Sequence, residues 1–533
     1  MVPRSDGDKG YPETVASASF HGSASLTLPQ ALINAAQRHG RSKAILEDQT
    51  RQSMSYDRLI LGAQVLGRVF AGQTGKREAV GILLPNVNAT AVTLFGLLWH
   101  GRIAAMLNFS AGQRNILSAC ETAGIRLVLT SRAFVTRAGL GAIVEALEER
   151  ARVVYLEDVR NSLTLLARAR GFLDKLRAAS IIKSSGAGPD DAAIILFTSG
   201  SEGEPKGVVL SHRNILTNIA QIAEHIDLSR FRTFFNPLPV FHSVGMTGGL
   251  LLPLMQGIRA VQYPSPLHYR EIPKLVGEVG ADLLFGTDTF IAGYARAAAA
   301  QDLKSVRMIV AGAERVKDET RALWEKYGTV IVEGYGATEC APVVALNTPE
   351  ANRPGSVGQL LPGIEHRLEP VRGIHEGGRL VVRGGNVMLG YLLPGGDGKL
   401  MPPEGGWHDT GDIVSVDDDR FVTIKGRAKR FAKLGGEMVS LGAIEALASG
   451  LWPEHSHIAV TIDDGRRGQG IILVTDQETA ARSEMLKHAK REGVPELWVP
   501  RAIMVVETIP VLGSGKADYA GAQRLVEERI SLL

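Results

Sequence analysis

A glycine-rich stretch at residues 198–207 has the residue types that bind phosphate. It reads TSGSEGEPKG and follows an apolar run at residues 193–197. Glycine lets backbone N–H groups close on an anion, hydroxyls donate hydrogen bonds, and Lys206 adds a positive charge. The sequence therefore predicts a strand-to-helix connection that cradles a phosphate, and the alternative is a flexible surface turn.

Residues 333–339 end another apolar run and carry an aromatic ring, a hydroxyl and a carboxylate. Tyr335 offers a face for stacking on a base, Thr338 a hydroxyl for a phosphate, and Glu339 a carboxylate for Mg²⁺. Taken alone, this segment is a weak signal, because many turns have a similar composition.

Three further segments offer polar groups to the same kind of site. Residues 407–412 supply carboxylates that can accept hydrogen bonds from ribose hydroxyls, and residues 426–430 are basic. Residues 513–516 place Lys516 beside glycines in a loop, which is an unusual setting for a merely solvated charge. Each segment is also typical of an ordinary turn.

Several common catalytic signatures are absent from the sequence. Pro205 precedes Lys206, so the Walker A spacing fails, and residues 334–336 lack the third glycine of a dinucleotide fingerprint. The chain contains no G-x-S-x-G motif, and none of its 13 histidines has an aspartate five positions later. These absences exclude a P-loop NTPase and disfavour hydride transfer, serine hydrolysis and the His-x4-Asp chemistry of glycerolipid acyltransferases.

Alternating strands and helices position these segments. Apolar, β-branched runs predict strands at residues 80–84, 127–130, 153–156, 193–197, 308–310 and 329–332. Ser211 predicts a helix N-cap, since isoleucines at 215, 219, 222 and 226 then follow at helical spacing. Beyond residue 355, glycine-punctuated strands are predicted at 379–383 and 421–425, and a compact tail follows Arg427. The pattern predicts α/β layers and a separate C-terminal domain.

Composition fits a large globular protein of the reducing cytoplasm. The net charge is +3 over 533 residues, with bases and acids interleaved, which argues against a nucleic-acid-binding surface. Two cysteines are too few to staple a secreted fold. Residues 1–25 are polar and predict a flexible leader, and the uncharged stretch 233–258, interrupted by prolines, predicts buried core and not a membrane span.

In this order, the segments resemble the adenylate-forming superfamily of acyl-CoA synthetases, luciferases and nonribosomal adenylation domains, over residues 26–518. The runs TSGSEGEPKGVVLSH, EGYGATECAPVV, GRAKRFAKLGGEMVSL and LGSGKADY are most similar to the synthetase half of bacterial 2-acylglycerophosphoethanolamine acyltransferase/acyl-[acyl carrier protein] synthetases. The resemblance implies a large N-terminal adenylate-forming domain of layered α/β subdomains at 26–426. A small, mobile C-terminal α+β domain that carries the catalytic lysine would occupy 427–533.

The resemblance implies roles for the nucleotide-binding residues. The β- and γ-phosphates of ATP would contact Thr198, Ser199, Gly200, Ser201, Gly203 and Lys206. The adenine side would be formed by Gly312, Ala313, Glu314, Gly334, Tyr335 and Gly336. Thr338 would contact the α-phosphate, Glu339 would hold Mg²⁺, and Asp412 and Arg427 would contact the ribose. Glu202 departs from the superfamily, in which threonine is usual at this position, but the subgroup shares it.

The remaining roles concern catalysis and the acyl group. Lys516 would be the catalytic lysine, Lys429 the hinge of a domain rotation, and His242 and Gly245 would border the acyl pocket. For His242, the alternative is a packed core histidine. The rotation would withdraw Lys516 and bring residues 435–436 to the channel for the incoming thiol.

These roles predict an ATP- and Mg²⁺-dependent ligase that adenylates a fatty acid and passes the acyl group to acyl carrier protein. A fatty acid–CoA ligase is the alternative, because the basic run Lys425, Arg427, Lys429, Arg430 and Lys433 suits acidic carrier proteins and coenzyme A phosphates alike. A non-catalytic lipid- or nucleotide-binding descendant is a further alternative. Transfer to a lysophospholipid by this chain is disfavoured, since the acyltransferase dyad is absent.

Residues 161–182 contain leucines at helical spacing together with several arginines. A basic amphipathic helix of this kind predicts weak peripheral attachment to the inner face of the membrane, where fatty acid partitions. The alternative is a helix that covers the main domain and keeps its arginines in water.

Overall fold

The computed structural model describes residues 25–163, 177–199, 204–371, 374, 376–434, 437–463, 469–511 and 517–531. The helices of the first half are α1 (Leu28–His39), α2 (Tyr56–Ala71), α3 (Asn88–Trp99), α4 (Gln113–Thr122), α5 (Arg132–Arg137), α6 (Gly141–Glu148), α7 (Leu156–Ser162), α8 (Ala178–Ser185), α9 (His212–His225), a π-helix (Val244–Leu251) and α10 (Leu252–Gln256). They are followed by α11 (Glu271–Val279), α12 (Asp288–Ala297), α13 (Asp318–Glu325), α14 (Leu441–Leu451), α15 (Arg482–Arg491) and α16 (Tyr519–Ser531).

The strands in chain order are β1 (Ala44–Asp48), β2 (Ser53–Ser55), β3 (Ala79–Ile82), β4 (Ile103–Met106), β5 (Leu127–Thr130), β6 (Arg152–Tyr155), β7 (Ala192–Ser199), β8 (Pro205–Ser211), β9 (Thr233–Asn236), β10 (Arg259–Gln262), β11 (Leu283–Gly286), β12 (Met308–Gly312) and β13 (Val330–Gly336). The remainder are β14 (Val343–Leu346), β15 (Gln359–Leu360), β16 (Glu365–Glu369), β17 (Gly378–Arg383), β18 (Gly390–Leu392), β19 (Leu400–Met401), β20 (His408–Val416), β21 (Val422–Arg427), β22 (Phe431–Leu434), β23 (Glu437–Ser440), β24 (His457–Asp463), β25 (Gln469–Thr475) and β26 (Ala502–Val505).

Three sheets build the part of the chain before residue 427. The first sheet has nine strands in the order β15-β14-β13-β12-β11-β9-β10-β1-β2, and the second has eight in the order β19-β18-β8-β7-β4-β3-β5-β6. Their central strands are parallel, whereas β8 and β18 run antiparallel at one side of the second sheet. The third sheet, β16-β17-β20-β21, is wholly antiparallel.

Each large sheet is covered on both faces by apolar side chains. On β9, Phe234 belongs to the central core that both sheets share, and Phe235 to the core beneath α11, α12 and α13. On β7, Leu196 points into the central core and Ile195 into the core beneath α4 and α6. Strands buried on both faces read as continuous apolar runs, which explains their clear signal in the sequence.

The predicted elements agree with these boundaries. The strand predicted at 127–130 coincides with β5, and Ser211 caps α9 by accepting a hydrogen bond from Asn214 N at 3.0 Å. Residues 233–258 form β9, the π-helix and α10, which lie in the core. Within the described ranges, no helix combines the length and the hydropathy needed to cross a bilayer.

The chain from residue 431 onward has cores of its own. One lies around α14 and α15, and the other around β24, β25 and α16. The predicted fold class, a large layered α/β domain followed by a smaller α+β domain, is confirmed. The boundaries at 25/26 and 426/427 stay predictions, and residues 1–24 lie outside the described part.

Most of the predicted membrane-binding helix lies at 164–176, outside the described residues. At its C-terminal end, Ile182 on α8 is buried in the central core and Ile181 packs against that core. This end of the segment therefore contacts the protein itself. Peripheral attachment rests on the sequence pattern alone and stays a prediction.

Candidate functional site

The glycine-rich stretch connects two antiparallel strands. Thr198 on β7 pairs with Lys206 on β8, so the prediction of a strand-to-helix connection is wrong. The helix that follows, α9, begins only at the far end of β8, and its N-terminal dipole cannot serve this turn. Of the residues predicted here to contact phosphate, the structure describes the side chains of Thr198 and Lys206. Gly200, Ser201 and Gly203 lie outside the described residues, and Ser199 is described only as the end of β7.

Lys206 and Glu339 both contact the side chain of Tyr391. Strand β18 pairs with β8, which places Lys206 Nζ 5.6 Å from the centre of the Tyr391 ring. The Tyr391 hydroxyl donates to Glu339 Oε1 at 2.7 Å. Burial, and then the Glu339 carboxylate, raise the pKa of Tyr391, so this hydroxyl stays a donor at neutral pH. Tyr391 on β18 thus links Lys206, predicted to contact the phosphates, with Glu339, predicted to hold Mg²⁺.

Tyr335, Asp412 and Arg427 form a second cluster. The Tyr335 hydroxyl donates to Asp412 Oδ2 at 2.5 Å, and Arg427 Nε lies 3.2 Å from Asp412 Oδ1. The Asp412 side chain is 8% exposed and that of Arg427 is 74% exposed. Burial raises the pKa of Asp412, while Arg427 and the Tyr335 hydroxyl favour its charged form. The residues predicted for adenine and ribose are therefore in contact.

The turn after β13 is held by neighbouring loops. Thr338 Oγ1 lies 3.3 Å from Ser243 Oγ, Met388 N donates to the Glu339 carbonyl at 2.8 Å, and Asn386 donates to the Cys340 carbonyl at 2.8 Å. At Gly336 an added Cβ would lie 2.1 Å from the Pro342 carbonyl oxygen, so no side chain fits there. Thr338 and Glu339 are thereby fixed at the end of the first sheet.

Residues 312–314 lie at the end of the neighbouring strand. Gly312 on β12 pairs with Gly334 on β13, and Ala313 has a φ of +69°, a left-handed conformation that is uncommon for a residue with a Cβ. Glu314 Oε2 accepts hydrogen bonds from the backbone and the hydroxyl of Thr289. The strand ends predicted to border adenine are adjacent, and Glu314 contacts α12.

His242 and Gly245 lie at the start of the π-helix. The His242 ring packs edge-on against Phe241 with centroids 4.7 Å apart. An added Cβ at Gly245 would lie 2.2 Å from the Pro239 carbonyl oxygen, so glycine lets the π-helix pack directly on that loop. Since Ser243 next to His242 contacts Thr338, this helix end borders the nucleotide residues. Its role as an acyl pocket stays a prediction.

Two site residues were missed from the sequence. Tyr391 lies in no recognisable motif, and only the pairing of β18 with β8 brings it between Lys206 and Glu339. His408 lies in the segment 407–412 but had been given no role. Burial lowers its pKa, although Glu339, Asp409 and Asp412 oppose that change, so a neutral imidazole is favoured among carboxylates.

The carboxylate chemistry suits Mg²⁺ when phosphates supply further ligands. No three His, Cys, Asp or Glu side chains of the described residues group together as a metal site. Mg²⁺ commonly binds one or two carboxylates and takes its other ligands from phosphates and water. Glu339 fits this pattern, because Tyr391 fixes its Oε1 and no described residue donates to its Oε2.

The remaining predicted site residues are only partly described. Lys516 and residues 435–436 lie outside the described residues, and Lys429 is described only as part of the short turn Ala428–Arg430. Their predicted roles stay predictions. Arg430, counted above among the basic residues available to an acidic partner, is turned inward and paired with Glu445. That part of the interpretation is wrong.

The chain is similar in sequence to curated ligases and in fold to solved structures. The 3-hydroxybenzoate–CoA/4-hydroxybenzoate–CoA ligase of Thauera aromatica is 27% identical over 458 residues, covering 83% of this chain and 86% of the relative. The medium-chain fatty-acid–CoA ligase of Escherichia coli K12 is 27% identical over 342 residues, covering 61% and 60%. The solved O-succinylbenzoate coenzyme A synthetase of Bacillus subtilis, in complex with ATP and magnesium ion, has a TM-score of 0.73 at 19% identity, covering 91% and 98%.

A sequence profile described as AMP-binding enzyme matches residues 32–392, more than half of the chain. This match spans the glycine-rich turn, the strand ends at 312–314 and 334–336, and the residues Glu339 and Tyr391. The chain therefore belongs to the AMP-binding enzymes, the superfamily of acyl-CoA ligases and adenylation domains.

Proposed function

We propose that this enzyme uses ATP and Mg²⁺ to activate a fatty acid as the acyl-adenylate. It then transfers the acyl group to the phosphopantetheine thiol of acyl carrier protein, releasing pyrophosphate and then AMP. The observation that carries the proposal is the convergence of Lys206, Tyr391 and Glu339 beside the cluster of Tyr335, Asp412 and Arg427. This grouping of cationic, hydroxyl and carboxylate side chains supports the binding of one nucleotide through its triphosphate, α-phosphate and ribose.

In the proposed first step, the fatty acid carboxylate attacks the α-phosphorus and the bond to pyrophosphate breaks. The turn between β7 and β8 binds the outer phosphates with Lys206, and Thr338 orients the α-phosphate. Asp412, kept in its charged form by Tyr335 and Arg427, accepts hydrogen bonds from the ribose. Mg²⁺ held by Glu339 would neutralise charge on the departing pyrophosphate.

Lys516 completes the proposed site from the C-terminal domain. Its charge would neutralise the oxygens that approach each other as the acyl–phosphate bond forms, and a rotation about Lys429 would then remove it. We predict that Lys516→Ala abolishes adenylate formation and leaves thioester formation from supplied acyl-adenylate largely intact. The two half-reactions are measured separately, by pyrophosphate release and by acyl-thioester yield. Equal loss of both would refute this division of roles.

The acceptor is the less constrained part of the proposal. The choice of acyl carrier protein as acceptor rests on the sequence resemblance and on two basic residues of β21, Lys425 and Arg427. Their side chains are exposed and suit an acidic partner. Coenzyme A is the second candidate, because the two relatives described above are CoA ligases. Both acceptors present the same phosphopantetheine thiol, so the first half-reaction does not distinguish them.

One experiment tests substrate and acceptor together. Pyrophosphate release is screened across fatty and aromatic acids, and each active acid is then offered equal concentrations of holo acyl carrier protein and of coenzyme A. Fatty acids and faster acylation of the carrier protein are expected. Faster acylation of coenzyme A would replace the acceptor, and preference for aromatic acids would replace the substrate. If none of the acids causes release of pyrophosphate, the result would favour the non-catalytic alternative.

The exposed cations give this test a sharper form. Lys425→Glu is expected to slow acylation of the carrier protein more at low than at high salt, since exposed charges act mainly on association. Arg524→Glu reverses an exposed charge on α16 and serves as the control.

A further inference from the structure

Residues 427–430 pass from contacts with the third sheet to contacts with the C-terminal part of the chain. Arg427, the last residue of β21, is paired with Asp412 on β20 and so belongs to the third sheet. Arg430 is held by residues that all follow it in the sequence. Two residues, Ala428 and Lys429, separate these anchors. The backbone of these two residues therefore joins the third sheet to the part of the chain that holds Arg430.

The Arg430 guanidinium is enclosed on two sides. Its Nη2 donates to Glu445 Oε1 at 2.6 Å and to the Ala459 carbonyl oxygen at 3.2 Å, while its Cζ lies 3.6 Å from the centre of the Tyr519 ring. The side chains of Arg430 and Glu445 are 15% and 16% exposed. Glu445 Oε1 also accepts from Ala459 N at 2.8 Å. One arginine thus joins α14, β24 and α16.

The contact with Tyr519 reaches the segment that precedes α16. Tyr519 is the first residue of that helix and stands three positions after Lys516 in the sequence. Arg430, the last residue of the turn Ala428–Arg430, therefore directly contacts the helix that begins three positions after Lys516. A change in the backbone dihedral angles at residues 428–429 would move Arg430 and α16 together.

We propose that Arg430 is a positioning residue that transmits rotation at Ala428 and Lys429 to the segment carrying Lys516. This inference rests on the proposed function, in which Lys516 acts only in adenylate formation. Lysine cannot replace Arg430 in this contact, because an ammonium group lacks the planar face that stacks on the Tyr519 ring. An apolar core already holds α16 against β24 and β25, and Arg430 adds the contact between α16 and the junction residues themselves.

The test compares Arg430→Lys and Tyr519→Leu with the full-length parent. Each variant is expected to lower the kcat of adenylate formation about tenfold, the size of a lost cation–π contact in a partly buried setting, with the KM for ATP unchanged. Thioester formation from supplied acyl-adenylate is expected to change less than twofold. Arg524→Lys, an exposed arginine on α16, is the matched control and is expected to match the parent.

A double-mutant cycle with Lys516→Arg, which keeps the positive charge and is expected to leave a measurable adenylation rate, separates positioning from general damage. If Arg430 acts through Lys516, the effects of Arg430→Lys and Lys516→Arg on that rate do not multiply. Two effects that multiply, or equal loss in both half-reactions, would overturn the inference. If Arg430→Lys fails to fold by thermal denaturation, Tyr519→Leu carries the same cycle. A parent that adenylates no acid would refute the proposed function itself, and that result is distinct from all of these.

Discussion

Replacing Tyr335 with phenylalanine removes one hydroxyl group from the buried carboxylate of Asp412. That hydroxyl donates to Asp412 Oδ2 at 2.5 Å, and the ring itself is buried. Arg427 would remain as a partner, but its side chain is 74% exposed and its charge is shared with water. The Tyr335 hydroxyl is thus the better shielded of the two groups that keep Asp412 charged.

The size of the effect follows from the burial of Asp412. A hydrogen bond to a charged group contributes about 1.5–3 kcal/mol, and the Asp412 side chain, 8% exposed, gains little compensation from water. Since each ~1.4 kcal/mol is a factor of ten, the KM for ATP is expected to rise about 10- to 100-fold. Loss of the donor also raises the pKa of Asp412 further, so Asp412 becomes protonated earlier as the pH is lowered. The variant should therefore lose ATP binding at a higher pH than the parent during this decrease.

The assay is the KM for ATP in pyrophosphate release, measured from pH 5 to pH 8 for the parent and for Tyr335→Phe. Tyr56→Phe is the matched control, because it removes another buried tyrosine hydroxyl, which donates to the Leu254 carbonyl on α10 at 2.5 Å. That control is expected to lower the free energy of unfolding without changing the KM. An unchanged KM for Tyr335→Phe, or a pH profile identical to that of the parent, would refute the role of the cluster in nucleotide binding.

Two further predictions concern Tyr391 and His212. Tyr391→Phe removes the hydroxyl that donates to the Glu339 carboxylate, and we expect the Mg²⁺ concentration needed for half-maximal activity to rise about tenfold. Binding of Mn²⁺ in the presence of ATP, followed by electron paramagnetic resonance, should weaken in parallel. Unaltered binding of Mn²⁺ would contradict the role of Tyr391. Burial lowers the pKa of His212 from 6.5 to about 4, and its Nδ1 accepts from Leu28 N at 3.1 Å. The unfolded chain therefore takes up this proton first, so the free energy of unfolding should fall by about 2 kcal/mol between pH 7.5 and pH 5.0. His212→Asn keeps an acceptor for Leu28 N but cannot titrate, so urea denaturation of this variant should show a smaller fall in the free energy of unfolding over the same pH range. A fall equal to that of the parent would contradict the lowered pKa of His212.

The sequence alone was sufficient for elements whose signals are local. The strand at 127–130 is a short run of apolar residues, and Ser211 with Asn214 closes the N-terminus of α9 through contacts three residues apart. Such signals act through backbone conformation and the hydrophobic pattern of a few neighbouring residues, so they can be read without a partner. The residue types of the nucleotide segments were readable for the same reason.

The tertiary structure alone decided which of these segments meet. Tyr391 reaches Glu339 across 52 positions, and Tyr335 reaches Asp412 across 77, because β18 pairs with β8 and the third sheet lies against the first. The glycine-rich stretch ends in a strand where a helix was expected, since Pro205–Ser211 extend the second sheet as β8. Arg430 resembles the exposed Lys425 and Arg427 in sequence, yet its side chain is only 15% exposed and contacts Glu445 and Tyr519. Sheet order and the burial of a single charge depend on partners far along the chain, and local sequence patterns carry no information about them.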